Sequence, residues 1–363
     1  MRQQRIVFLD YVRVVACFLV MLVHASENFY GAAGSTDMAG PESYLANNAD
    51  RLWVSLYDGF SRISVPLFII VSAFLLAPMK EGVTTWQFYR QRALRILPPF
   101  LTFMILYATL PLLWGGIDSA TSLRDLSRIL LNFPTLAGHL WFMYPLFGLY
   151  LFIPFISPWL ARATKREEQW FIALFAVSTC MPYMNRWLGE VWGQCFWNEF
   201  HMLWYFSGYL GYLVLAHYIR TRLAWSRPRR LAIGSLALAV GAALTILSFY
   251  VQATPGANHP TPVLEIGWAF CTINCVIATA GAFILFTCIN RPCKLVTDVS
   301  KMSYGMYLMH IFWLGLWVDV YKDTLALPTV AAIPAIAITT YAASYATTKL
   351  ISLIPGSKWV VGC

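Results

Sequence analysis

The sequence predicts an all-α protein: a polytopic membrane bundle of about ten transmembrane helices, with the N-terminus in the cytoplasm. Three observations predict it. Hydrophobic residues make up 59% of the 363 and charged residues only 12%, about half the charged share of a soluble domain. Apolar runs of roughly 20 residues, enough to cross a hydrocarbon core about 30 Å thick, recur from one end of the chain to the other. The basic residues fall on alternate sides of those runs, as the positive-inside rule requires. The mean hydropathy of +0.60 excludes an ordinary soluble enzyme, a disordered chain, a collagen-like fibre and a disulfide mini-protein.

The first span, 7–27, follows Arg2 and Arg5. The second, 52–77, contains the run Val65 to Leu75. The third, 96–114, is preceded by Arg90, Arg92 and Arg95 and ends at Trp114. The fourth, 139–159, opens with Gly138-His139-Leu140-Trp141-Phe142 and is followed by Arg162, Lys165 and Arg166. The fifth, 169–187, ends at Trp187, and the sixth, 200–219, opens at His201. Arg220, Arg222, Arg227, Arg229 and Arg230 separate it from the seventh, 231–251. The eighth, 266–288, leads into Arg291, Lys294 and Lys301, and the ninth, 302–318, and tenth, 329–353, complete the set.

With this topology 19 Lys and Arg lie on the cytoplasmic side. Six lie on the outer side or at helix ends: Arg51, Arg62, Arg124, Arg128, Arg186 and Lys322. Arg13 is inside the first span. The formal charge of +9 is therefore a record of topology, and nucleic acid is not an expected partner. A rival reading makes the first span a secretory signal peptide: Arg2 and Arg5, the run Val14 to Val23, then Ala32-Ala33-Gly34. Asp10 and Arg13 argue against it, because they interrupt what should be a clean apolar region.

The eight cysteines mostly fall within apolar spans and form no CxxC pair or Cys/His cluster, so no metal is expected. Cys271 and Cys275 are four apart and read as neighbours on one helix face, packed as small hydrophobes. The chain shows no repeat of 20–50 residues. The longest outer loop, 28–51, is too small for a separate domain, so residues 1–363 read as one unit. Tyr30, Trp53, Trp114 and Trp187 read as an interfacial aromatic belt.

Ionisable residues within spans are expensive and usually face a cavity or a partner. Arg13 and His24 are eleven residues apart. That spacing puts them on one helix face, within about 20° and separated by about 16 Å along the axis. Asp10, three residues before Arg13, is placed to pair with it. The bland alternative is an Arg and a His snorkelling to opposite surfaces. Arg92 and Arg95, in the connection between the second and third spans, suit bidentate phosphate contact, or are simply positive-inside charge. His139 lies on the same side as His24, and Ser303, Tyr307 and His310 share one face of the ninth span. His217 and His259 read as ordinary loop-edge residues. On these residues alone an enzyme and a transporter fit equally.

Four stretches resemble the membrane acyltransferase-3 family. Phe8-Leu9-Asp10-Tyr11-Val12-Arg13, ten residues and His24 is similar to its opening Arg/His helix. The run Val65 to Leu75 resembles its second helix, with Ala73 where the family usually has Gly. Arg92-Ala93-Leu94-Arg95-Ile96-Leu97-Pro98 resembles its R-x-x-R loop. Ser303 to His310 resembles its late S-Y-x-x-Y-L-x-H segment. The resemblance spans residues 8–310 in order. It is nearest to stand-alone members that O-acetylate surface or lipid-linked polysaccharides, since no extracytoplasmic esterase-like domain is expected.

The resemblance implies transfer of an acyl group, usually acetyl from acetyl-CoA, to a sugar hydroxyl. His24 is then the general base, or forms an acyl-His intermediate. Arg92 and Arg95 hold the CoA phosphates. Arg13 contacts the donor deeper in a cavity, or braces the helix through Asp10. His139, Trp141, Ser303, Tyr304 and His310 are candidates for substrate contact or oxyanion stabilisation. The expected partners are acyl-CoA, a glycan or lipid-linked saccharide, and membrane lipids. No cofactor is held permanently, and the expected location is the cytoplasmic membrane. A secondary transporter or flippase for a lipid-linked glycan or small anion is the alternative. It would show inverted repeats with paired broken helices, whereas Pro145, Pro154 and Pro334 have no counterparts across the halves.

Overall fold

The computed structural model describes residues 5–30, 48–189, 191–193, 200–254, 259 and 261–363. All regular structure among them is helical. In order the helices are α1 (Val7–Glu27), α2 (Asn48–Ser61), α3 (Ser64–Leu76), α4 (Thr85–Thr109), α5 (Ser119–Ser127), α6 (Met143–Arg162), α7 (Lys165–Ser178), α8 (Met181–Leu188), α9 (Tyr209–Thr221), α10 (Arg227–Gln252), α11 (Thr261–Leu264), α12 (Ile273–Phe286), α13 (Lys294–Val318) and α14 (Thr329–Ser352). Short 3-10 turns extend several of them.

Seven stretches of the described residues are long and apolar enough to cross a membrane, not ten. They are Val7–Glu27, Asn48–Leu76, Thr85–Trp114, Gly138–Arg162, Arg227–Gln252, Ile266–Phe286 and Thr329–Ser352. The other three expected spans are not among these seven, for local reasons. The fifth is split between α7 and α8 at Thr179 and Cys180, and α7 opens on four charged or polar side chains from Lys165 to Glu168. The sixth is a 3-10 turn over His201–Phe206 followed by α9, with a break at Gly208, whose φ of 70° suits glycine. The ninth is part of a continuous 25-residue helix, α13. Its Lys294, Asp298, Lys301, Ser303, Tyr304, Tyr307 and His310 hold the hydropathy down.

Helix α4 begins eleven residues before the expected third span. A capping box starts it: the Thr84 hydroxyl accepts from the Gln87 amide, and the Gln87 side chain accepts from the Thr84 amide. Arg92 and Arg95 therefore stand on a helix, not in a loop as the sequence suggested. The second span is interrupted in turn: α2 ends at Ser61 and α3 starts at Ser64, with Arg62 and Ile63 in the break.

Apolar helices gain little from burying oil in oil, so close approach and polar contacts hold a membrane bundle together. Helix α1 is the hub, touching α2, α3, α12, α13 and α14. Helices α10 and α12 meet most closely. A Cβ on Gly281 would lie 2.4 Å from the Leu238 amide nitrogen, and one on Gly241 would lie 2.4 Å from that of Ala278. Gly281→Ala is expected to destabilise the protein by about 1–3 kcal/mol through overpacking. Gly148 in α6 has open space around its Cβ position, and Gly148→Ala is expected to be neutral or stabilising. Thermal unfolding in detergent compares the two; equal midpoints would contradict the close contact.

Several residues sit where the sequence reading did not put them. His217 is buried, not a loop-edge residue: its Nδ1 lies 3.0 Å from Glu168, which also takes the Arg222 guanidinium at 2.9 Å. That cluster ties the start of α7 to the end of α9. Tyr30 is not part of an aromatic belt but is buried, its hydroxyl donating to Glu265 at 2.6 Å. Cys271 precedes α12, so it does not share a helix face with Cys275. Arg62, counted among helix-end charges, is buried within the bundle. Arg2, Cys195, Ala32-Ala33-Gly34 and most of the loop 28–51 lie outside the described residues.

Candidate active site

A cavity of about 490 Å³ lies between α1, α3, α4, α6 and α13. Arg13 lines it from α1, Ser72 from α3, Arg92 and Arg95 from α4, Tyr150 from α6, and Ser303, Tyr304 and Tyr307 from α13. Arg5 and Lys301 add two more cations, and Asp10 is the one carboxylate in the lining. Asp10 is already engaged. Arg5 holds it at 2.6 and 3.0 Å, and the Ser300 hydroxyl donates to it at 2.8 Å. Arg13 reaches it only at 3.5 Å. The bracing role considered for Arg13 thus falls mainly to Arg5, and Arg13 is left facing the cavity.

Arg92 is half-buried, its guanidinium 5.9 Å from the Phe88 ring, and its Nε is buried with no hydrogen-bond partner. An unpaired buried donor is costly, and an anion in the cavity would satisfy it. The Tyr304 hydroxyl donates to the Ile96 carbonyl at 2.8 Å. Its proton is committed to holding α13 against the arginine-bearing turn of α4. The Ser303 hydroxyl likewise donates to the Ser300 carbonyl at 3.0 Å. The cavity is a cationic chamber fit for phosphate groups.

Beyond its Phe142, Met143 and Tyr307 wall, three histidines converge. The His24 ring stacks on that of His310 with centroids 5.3 Å apart, and His139 meets His310 edge-on at 4.8 Å and His24 at 6.5 Å. They come from α1, the 3-10 turn Gly138–Phe142, and α13. Tyr307 joins chamber and cluster: it lines the cavity, and its hydroxyl donates to the His139 carbonyl at 2.6 Å. His310 Nδ1 faces the Tyr307 carbonyl at 2.6 Å, and His139 Nε2 faces that of Leu308 at 3.4 Å. Those nitrogens carry the protons. The opposite nitrogens, His310 Nε2 and His139 Nδ1, are buried without partners and present lone pairs. Neutral His139 and His310 can therefore accept from a substrate hydroxyl. Donation to an oxyanion would need the imidazolium.

His24 differs from the other two. Its Nδ1 lies 2.7 Å from the Glu27 carboxylate, one turn further along α1. Glu27 in turn meets the buried Arg62 at 3.5 Å, and Arg62 lies 2.6 Å from Asp58. A carboxylate on Nδ1 fixes the tautomer that leaves Nε2 free as a base and favours the imidazolium formed when that base takes a proton.

The structure thus brings His24, His139 and His310 together, and separately brings Arg13, Arg92, Arg95, Ser303 and Tyr304 together around the adjoining chamber. Trp141 joins neither directly; its ring stacks on Phe270 at 5.7 Å. His201 is elsewhere, with Nδ1 against the Val191 carbonyl. The sequence reading missed Glu27, Arg62, Asp58 and Tyr150. Glu27 had a local signal in its i+3 spacing from His24, and Asp58 and Arg62 had one in their i,i+4 spacing.

A multi-helix membrane bundle with a cationic chamber next to a carboxylate-held histidine has the parts a membrane group-transfer enzyme needs. The family comparison specifies the class: the model of the acyltransferase domain matches residues 6–349, nearly the whole chain, and the protein belongs to the membrane acyltransferase-3 family. No curated protein and no solved structure gives a significant match.

Proposed function

We propose that this membrane acyltransferase is an O-acyltransferase that moves an acetyl or similar group from acyl-CoA to a hydroxyl of a cell-surface or lipid-linked glycan. The observation that carries the reading is the His24–Glu27 pair placed against the end of an arginine-lined chamber. Arg92 and Arg95 take the diphosphate, with the N-terminus and this mouth on the cytoplasmic side of the cytoplasmic membrane. Arg13 contacts the donor further in. The pantetheine arm then runs along α1, over the roughly 16 Å that separates Arg13 from His24.

At the far end His24 Nε2 takes the proton of the acceptor hydroxyl as its oxygen attacks the thioester carbonyl. The C–O bond forms and the C–S bond breaks. The His24 imidazolium, supported by Glu27, then returns the proton to the departing CoA sulfur, so no net proton is gained or lost. His139 and His310 orient the acceptor through their free nitrogens.

The test is a titration of acetyl-CoA, CoA and succinyl-CoA into the purified protein in nanodiscs, with transfer of labelled acetyl to membrane glycan followed in parallel. Saturable binding and label transfer are expected. A folded sample that binds no CoA ester would overturn the reading.

A further inference from the structure

We propose that Arg62 is a positioning residue for the transfer step, acting on His24 through Glu27. This rests on the reading of His24 as the base. Arg62 occupies the break between α2 and α3, where the interrupted helix turns its side chain into the bundle. Arg62 is 7% exposed, and its guanidinium lies over the Trp268 ring at 4.5 Å and meets two carboxylates: Asp58 at 2.6 Å and Glu27 at 3.5 Å. Trp268 is itself clamped, stacked on Phe249 at 3.8 Å. The two oxygens of Glu27 are divided, Oε2 to His24 and Oε1 to Arg62.

The charge count makes Arg62 matter. Glu27, Asp58 and Glu265 are carboxylates of this region, all largely or wholly buried, and Arg62 is its permanent cation. A lone buried carboxylate is costly. Without Arg62, Glu27 has two ways to escape that cost. It can hold His24 as a permanent imidazolium, which has no lone pair to act as a base. Or it can take up a proton and donate to Nδ1, which moves the imidazole proton to Nε2, the wrong tautomer. Either outcome disables Nε2. With Arg62 in place, Glu27 stays anionic while His24 is neutral, and Nδ1–H donates to it. Asp58 lies beside Nε, next to the Nη2 that faces Glu27, so both carboxylates share one edge of the guanidinium.

A purely structural ion pair would behave differently, and the difference is measurable. The full chain is placed in nanodiscs with 15N-labelled histidine, and CoA thiol release from acetyl-CoA is followed with glucose as the hydroxyl probe. Arg62→Gln keeps polar contact without the charge and serves where Arg62→Met does not fold. It is expected to lower kcat by about a hundredfold or more, as loss of the orienting carboxylate does in a catalytic triad, with the KM for acetyl-CoA unchanged. Glu27→Gln is expected to give a similar loss, and the double variant no further loss. Arg62→Lys is expected to recover part of kcat. The His24 spectrum, assigned by comparison with His24→Gln, is expected to show protonated Nδ1 and bare Nε2 in wild type and Arg62→Lys. In Arg62→Gln, Nε2 is expected to be protonated.

Losses that multiply in the double variant, or an unchanged His24 spectrum in folded Arg62→Gln, would overturn the proposal. If the wild type releases no CoA with glucose or with membrane glycan and binds no CoA ester, the acyl-transfer reading fails, and the spectra still decide the link from Arg62 to His24.

Discussion

Replacing His24 with alanine is expected to lower acyl transfer by about 10²–10⁴-fold, the range a general base contributes, while acetyl-CoA binding stays near wild type. The separation follows from the layout. His24 lies in the histidine cluster, whereas the donor phosphates are assigned to Arg92 and Arg95 at the chamber. His24→Gln keeps the volume and a polar end but supplies no base, so it is expected to be as impaired as the alanine variant. His139 and His310 are not expected to substitute, because they lack a carboxylate like Glu27. Their proton-bearing nitrogens face backbone carbonyls. Turnover at saturating acetyl-CoA, measured beside equilibrium binding, is the check. Full transfer by either variant would remove His24 from the chemistry.

The Arg92→Ala/Arg95→Ala variant is expected to weaken acetyl-CoA binding by about 10²–10³-fold. A hydrogen bond to a charged group contributes about 1.5–3 kcal/mol, and each 1.4 kcal/mol is a factor of ten. Two guanidiniums on one helix face, each able to grip a phosphate in two places, reach that range without full additivity. Arg92 carries more than a surface charge would, because its buried Nε has no partner within the protein. Arg92→Lys/Arg95→Lys is expected to restore only part of the affinity, since an ammonium cannot reproduce the planar fork. Binding by titration calorimetry is the measurement. Wild-type affinity in the double alanine variant would move the donor phosphates away from α4.

The positions that sequence spacing revealed are those whose partners lie on the same helix. Arg13 and His24 were legible because eleven residues bring them to one face, and Arg92 and Arg95 because three residues do. The three-way meeting of His24, His139 and His310 was not legible from spacing, since each comes from a different element. The family resemblance nominated all three, and packing brings them together. Arg62 was misread because a charge next to a helix end normally marks a membrane surface. Here the helix breaks inside the bundle. Glu27 was missed for the same reason, as an acid in a last turn. The three expected spans that fall short of the seven show the limit of hydropathy. It detects apolar runs but not breaks such as Gly208, and it undercounts a helix such as α13 whose polar side chains face inward.

With the proposed roles of Arg13 and His24, the register of α1 sets the distance between donor grip and base by counting residues, and this limits how the chain can change. One inserted residue between Arg13 and His24 would swing the histidine about 100° around the axis, away from Glu27's partners and from His310. Four inserted residues would bring it back to within about 40° and raise it by about 6 Å. Length polymorphism in this helix is therefore compatible with activity only in near-whole turns, and each such step would match a donor arm longer or shorter by the same increment. No point substitution in α1 can make that adjustment.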